Sequence, residues 1–297
     1  MDSSLRSLIT DPVQYSEAFF MYLNRSTEHE CMQRFIDTKL SDIISRIGSG
    51  KSPINVLSLG SGTGEMDMHI LSKLRNMYPG ALINNESVEP SEEHILLYKD
   101  NVSKTQNIDN VTFSWHKKDT SEYETEIKQR KEIKQFDFIH MIQMIYYVKD
   151  VPATIKFFRS CLAPNGKLLI VVLSEKSGWI RFYDACSSHL SKSELPINIC
   201  SGDITQILDS QGIQYESYNI QSYLDVTECF IEGNRNGQLL LDMLTETCNF
   251  NGTATDNQKM FVMEQLRSPD YSFEENGKIL LSTDLTALII NAENHIY

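Results

Sequence analysis

The strongest chemical signal in the chain is Val56-Leu57-Ser58-Leu59-Gly60-Ser61-Gly62-Thr63-Gly64-Glu65, an apolar run that ends in alternating glycines. A glycine turn between a strand and a helix lets main chain approach a ligand closely and points amide N–H groups at it. Dinucleotide sites favour GxGxxG; Glu65 stands where that pattern needs its third glycine, which disfavours a dehydrogenase. About twenty-five residues later, Val88-Glu89-Pro90 closes a second apolar run. A carboxylate there can accept both hydroxyls of a ribose, or it can be a solvated loop residue. Further on, Ile142-Gln143-Met144-Ile145-Tyr146-Tyr147-Val148 brings an amide and two tyrosines to the end of another apolar run. Aromatic faces at such a place can hold a cation, or they can be an aromatic core cluster. Ile142 can wall a nucleoside or be plain core, and Thr120 can reach an adenine edge or cap the helix that follows. Glu28, at the head of a helix, can anchor a cationic ligand or answer only the helix dipole. His29, His116 and His140 form no base–nucleophile arrangement, so no catalytic side chain is assigned.

These residues require an alternating α/β frame to position them. Strands are predicted at Ile54–Leu59, Ala81–Val88, Val111–His116, Phe136–Met141, Lys167–Leu173, Ile213–Ile220 and Leu285–Ile290. Helices are predicted at Met66–Met77, Ser91–Val102, Ser121–Lys134, Pro152–Leu162 and Ser201–Gln211, with a turn at Pro164-Asn165-Gly166. The alternation implies βαβ units: a mostly parallel sheet with helices on both faces. The first fifty residues read as helical. Thr27-Glu28-His29-Glu30 has the form of a capping box, followed by Met32, Phe35, Ile36, Leu40, Ile43, Ile44 and Ile47 at helical spacing up to Gly48. Segments 174–200 and 222–284 fit the alternation poorly. We expect one domain over 1–297, with residues 1–50 and these two insertions building the substrate-binding part.

The chain has 27 basic and 40 acidic residues in 297, a net charge of −13. That balance disfavours phosphate backbones and anionic lipid surfaces, so no nucleic acid or membrane partner is expected, and it tolerates a small cation. The longest unbroken apolar run, Leu168 to Leu173, is far too short to span a bilayer. Six scattered cysteines without CxxC or metal-like spacing predict reduced thiols, a cytoplasmic setting and no metal site.

Glycines in GxGxG form are those of the class I S-adenosylmethionine-dependent methyltransferases, a Rossmann-like α/β fold. That class usually has an acidic residue two before the first glycine; this chain has Ser58. Within it, the segments Ser26-Thr27-Glu28-His29, Gly60-Ser61-Gly62-Thr63-Gly64-Glu65, Val88-Glu89-Pro90-Ser91, Trp115-His116-Lys117 and Phe138 through Asp150 closely resemble the histamine N-methyltransferases. So do Ser177-Gly178-Trp179 and Leu244 through Phe250, and the likeness runs nearly end to end. It implies a cytosolic, monomeric enzyme that moves a methyl group from S-adenosylmethionine to an imidazole nitrogen of histamine. It implies cofactor contacts at Gly60, Glu89, His94, Thr120 and Ile142, beside Gly62 and Gly64 of the same turn. It implies substrate contacts at Glu28 and Thr283 inside an aromatic box that includes Tyr15, Phe19, Gln143, Tyr146, Tyr147 and Trp179.

Several positions depart from the family pattern. His94 replaces a glutamine, Thr120 a serine, and Thr283 (or Asp284, one residue on) a substrate-binding asparagine; the remaining box positions are Tyr183, Leu190 and Met243. Two alternatives stay open: a relative acting on another small imidazole or amine, and a non-catalytic paralogue whose box has decayed.

Overall fold

The computed structural model describes residues 5–48, 50–130, 134–190 and 199–293. The predicted ends of the chain, parts of the 174–200 insertion and residues 131–133 of the predicted polar helix lie outside the described residues. The central sheet has seven strands: β1 (Ile54–Leu59), β2 (Ile83–Val88), β3 (Val111–His116), β4 (Phe136–Ile142), β5 (Leu162–Leu173), β6 (Tyr215–Ile220) and, later in the chain, β10 (Leu285–Asn291). Their order is β3-β2-β1-β4-β5-β10-β6. β1 pairs in parallel with both β2 and β4, β2 with β3, and β4 with β5. Val56, Leu57, Leu59, Phe136, Phe138, Ile139 and Met141 are fully buried. Strands covered on both faces read as continuous apolar runs, which is why they stand out in the sequence.

The helices between these strands follow the expected rhythm. Glu65–Met77 starts directly after Gly64, and Glu92–Lys104 is capped by Ser91, whose Oγ accepts from the His94 amide. Thr120–Gln129 is capped by Asp119 in a full capping box with Glu122, so Thr120 is the first helical residue and not the cap. Val151–Ser160 begins with Pro152 in its first turn. The predicted Pro164-Asn165-Gly166 turn lies inside β5. There the pairing jumps from Phe136–Leu162 to Phe138–Lys167, and Asn165 takes φ 66°, so the residues bulge without leaving the sheet.

Contacts divide the chain into two compact units. One comprises Met32–Val172, Asp203–Tyr218 and Thr286–Tyr297, and carries most of the sheet; the other comprises Met1–Cys31, Leu173–Gly202 and Asn219–Leu285. The second unit holds the helix Pro12–Arg25 packed on Arg235–Thr245 over a small core of Leu8, Ala18, Leu239 and Cys248. It also contains a three-stranded antiparallel sheet in which β9 (Lys278–Ser282) lies between β7 (Tyr223–Asp225) and β8 (Ser272–Glu275). The expected capping box at Thr27 is replaced. The Glu28 amide donates to Ser26 Oγ, because the Thr27 hydroxyl is taken by the Tyr223 amide at 2.9 Å. Beyond Phe35 the chain passes through a π-helical turn, Ile36–Leu40, into the short helix Ser41–Ile43. All six cysteines are free thiols. Among the described residues no helix is long and apolar enough to cross a membrane, and no group of His, Cys, Asp and Glu could hold a metal ion.

Candidate active site

Gly60, Gly62 and Gly64 all have positive φ, at 68°, 52° and 75°. At two of them glycine is also required for space. A Cβ on Gly60 would stand 2.6 Å from the Met144 Cβ, and one on Gly64 would be 2.1 to 2.3 Å from the Tyr98 ring. The turn is tied to the next strand, since the Gly60 amide donates to the Val88 carbonyl at 2.9 Å.

Glu89 follows directly on β2 and is almost fully buried. One carboxylate oxygen accepts the Gly62 amide at 2.9 Å; the other accepts the Ser91 amide at 3.0 Å and lies 3.4 Å from His94 Nδ1. Burial by itself would raise this carboxyl. The bonds from His94, Ser91 and Gly62 outweigh it and hold Glu89 below the usual carboxylate range. The same pairing raises His94. The structure thus brings Gly60, Gly62, Gly64, Glu89 and His94 together. Next to them Ser61 Oγ is buried without a hydrogen-bond partner. An anchored buried carboxylate, an orphaned hydroxyl and a turn that crowding and positive φ keep free of side chains fit a ribose-bearing ligand.

Ile142 is the last residue of β4 and is half-buried. Gln143 follows with φ 52°, its amide donating to the Val171 carbonyl. Strain of that kind in a non-glycine residue persists only where the surroundings enforce it. The Tyr146 hydroxyl donates to Gln143 Oε1 at 2.7 Å, while Tyr147 is exposed. Thr120 is buried at its helix start. All these residues belong to the sheet-bearing unit.

Glu28, Thr283, Trp179, Tyr15 and Phe19 belong to the other unit. Tyr15, Phe19 and Tyr22, at i, i+4 and i+7 on one helix, stack at centroid distances of 5.9 and 6.3 Å. Trp179 continues the series, 5.2 Å from Tyr22, and its indole N–H donates to the Leu244 carbonyl. Tyr22 joins the aromatic row to the acid, its hydroxyl donating to Glu28 Oε2 at 2.5 Å. Sequence reading missed Tyr22; its place on the Tyr15–Phe19 face was the available signal. Thr283 is fully buried, and its hydroxyl donates to Ser222 Oγ at 3.0 Å. Ser222 Oγ lies 3.4 Å from the Thr27 hydroxyl, which puts position 283 two hydrogen bonds from the residue before Glu28.

The methyltransferase domain family matches residues 32–214. The chain is 50% identical to the histamine N-methyltransferase of Bos taurus over 98% of its own length and 100% of that protein, and 51% identical to that of Cavia porcellus over the same shares. The chain belongs to the histamine N-methyltransferase family. The Danio rerio histamine N-methyltransferase is 41% identical over 98% of this chain and 99% of its own. Among solved structures, a putative methyltransferase from Bacillus halodurans matches with a TM-score of 0.54 at 12% identity, covering 86% of this chain and 100% of that one. The YcgJ protein from Bacillus subtilis matches with a TM-score of 0.52 at 12% identity, covering 90% and 99%. At such identities these two matches speak for the fold alone, and it is the Rossmann-like sheet expected of a histamine N-methyltransferase.

Proposed function

We infer that this chain transfers the methyl group of S-adenosylmethionine to a ring nitrogen of histamine. The observation that carries the reading is near-half identity to curated histamine N-methyltransferases over almost the whole of both chains. Bound S-adenosylmethionine supplies an electrophilic methyl group on a positively charged sulfur. Gly60, Gly62, Gly64, Glu89, His94, Thr120 and Ile142 would hold it, with Glu89 accepting from ribose hydroxyls.

Neutral imidazole already carries a nucleophilic lone pair at physiological pH, because its pKa is near ~6.5. The protein therefore needs no general base, and its contribution is positioning, an effect on the order of several kcal/mol. Glu28, oriented by the Tyr22 hydroxyl, accepts the ring N–H or the ammonium of the substrate. An acceptor on one ring nitrogen fixes the tautomer and leaves the lone pair on the other. The same carboxylate stabilises the positive charge that the ring acquires on methylation. Tyr15, Phe19 and Trp179 supply aromatic faces for a cationic guest. In the sheet-bearing unit, Tyr146 holds the Gln143 amide in place. Thr283, its hydroxyl committed to Ser222, supports this polar cluster. The reading extends to a monomer working in the cytoplasm, supported by free thiols and a strongly negative charge.

The test is a methyl-transfer assay with labelled S-adenosylmethionine and a panel of imidazoles and amines. Histamine is expected to be the best acceptor, with the label on its ring. Label appearing only on another amine overturns the substrate, and label on none overturns the activity.

A further inference from the structure

Behind the glycine turn lies a buried polar network with Asp67 at its centre. Ser58 Oγ donates to Asp67 Oδ1 at 2.9 Å, and the Tyr98 hydroxyl donates to Oδ2 at 3.0 Å. Ser87 Oγ reaches Oδ2 at 3.5 Å, His140 Nε2 lies 3.7 Å from Oδ1, and Asn85 Nδ2 donates to both Ser87 and Tyr98. The placement of the members is systematic. Ser58 precedes Gly60 by two residues, Ser87 precedes Glu89 by two, and His140 precedes Ile142 by two. Ser58 is in register with Ser87 on β2 and with His140 on β4, so the three side chains share one face of the sheet. Tyr98 follows His94 by four, one helical turn on, and its ring fills the space where Gly64 would carry a Cβ. Each of four inferred cofactor contacts thus has a partner immediately behind it, and all four partners converge on one carboxyl group.

We propose that Asp67 is a positioning residue that locks the ends of β1, β2 and β4 and the helix Glu92–Lys104 into one preformed adenosyl site. The proposal rests on the reading of Gly60, Glu89, His94 and Ile142 as cofactor contacts. Burial raises the Asp67 carboxyl and lowers the His140 imidazole. Asp67 accepts from Ser58 and Tyr98, and His140 Nε2, a buried atom without a hydrogen-bond partner, stands 3.7 Å from it. Asparagine keeps one carbonyl acceptor and presents N–H donors in place of the second oxygen; alanine keeps neither.

The experiment combines calorimetric binding of S-adenosylmethionine, steady-state kinetics and amide hydrogen exchange on the full chain. Asp67→Ala is expected to weaken cofactor binding roughly tenfold or more, the loss of one or more buried hydrogen bonds. It should raise the cofactor KM alike, with kcat at saturation changed less than about threefold. Exchange should accelerate together at residues 60–64, 89–91 and 142–143. Asp67→Asn, which keeps one acceptor and the side-chain shape, should fall between alanine and the wild type. Tyr98→Phe keeps the ring against Gly64 and removes only the hydroxyl; it should weaken binding in the same direction and decides the matter if the alanine variant does not fold. A lower melting temperature with unchanged affinity, or exchange confined to Glu65–Met77, overturns the positioning role. A wild-type protein that binds no S-adenosylmethionine refutes the underlying reading of the site, while the exchange pattern still decides whether Asp67 ties the three strand ends together.

Discussion

The two units hold their candidate residues by different means. In the sheet-bearing unit the contacts are fixed by main chain: Gly62 and Ser91 amides on Glu89, Val88 on Gly60, Val171 on Gln143. In the other unit they are fixed by side chains, Tyr22 on Glu28 nearby in the chain, and Trp179 on Tyr22 and Ser222 on Thr283 from distant segments. A main-chain cradle changes only if the backbone changes, whereas a side-chain box is altered by single substitutions. The departures expected from the family pattern fall in both units: the three glycines and Glu89 are kept while the side chains His94 and Thr120 differ, and Thr283, Leu190 and Met243 differ in the box.

Four substitutions probe that contrast. Gly64→Ala should have the largest effect, because it combines a left-handed φ with a collision against Tyr98. About 3 kcal/mol or more of stability should be lost, together with cofactor binding, in a thermal melt and a titration. An unchanged melt would mean that the cradle yields and the contrast is false. Glu89→Ala should weaken S-adenosylmethionine binding by about 1.5–3 kcal/mol, the worth of hydrogen bonds to a charged group. Calorimetry giving the wild-type affinity would take Glu89 out of the site. Glu28→Gln should raise the histamine KM by the equivalent of about 1–2 kcal/mol while leaving cofactor affinity in place. Equal losses for both ligands would erase the division of labour between the units. Thr283→Asn should act least, improving kcat/KM for histamine through KM by about 1 kcal/mol or less. A loss of histamine turnover there would show a pocket rebuilt around threonine for a different substrate.

What could be read from the sequence follows the same division. β1 and β3 begin and end at the residues expected, Ile54–Leu59 and Val111–His116: β1 is a buried apolar run, and β3, at the sheet edge, alternates apolar and polar residues. The glycine turn was legible because positive φ and close approach leave few residue types to choose from. Thr27 was misassigned as a cap because the competing partner, Tyr223, lies almost two hundred residues away. Ser222 escaped notice for the same reason, since its partner Thr283 is sixty-one residues on. Asp67 stands in the first turn of a helix, where an acidic residue is ordinary, and only the fold shows it buried.

The strand order has a consequence for how the chain is made. β10 lies between β5 and β6, although both precede it in the sequence. β6 therefore has no neighbour in the sheet until residues 285–291 have been synthesised. Until then the edge of β5 presents unpaired main-chain groups along a run of buried apolar residues, Leu168 to Val172. The chain also passes between the two units five times, so neither is a continuous stretch that could be completed while the rest emerges. Nascent chains stalled or cut before residue 285 should be the aggregating, chaperone-dependent species of this protein, and one dominated by such long-range pairings should fold slowly.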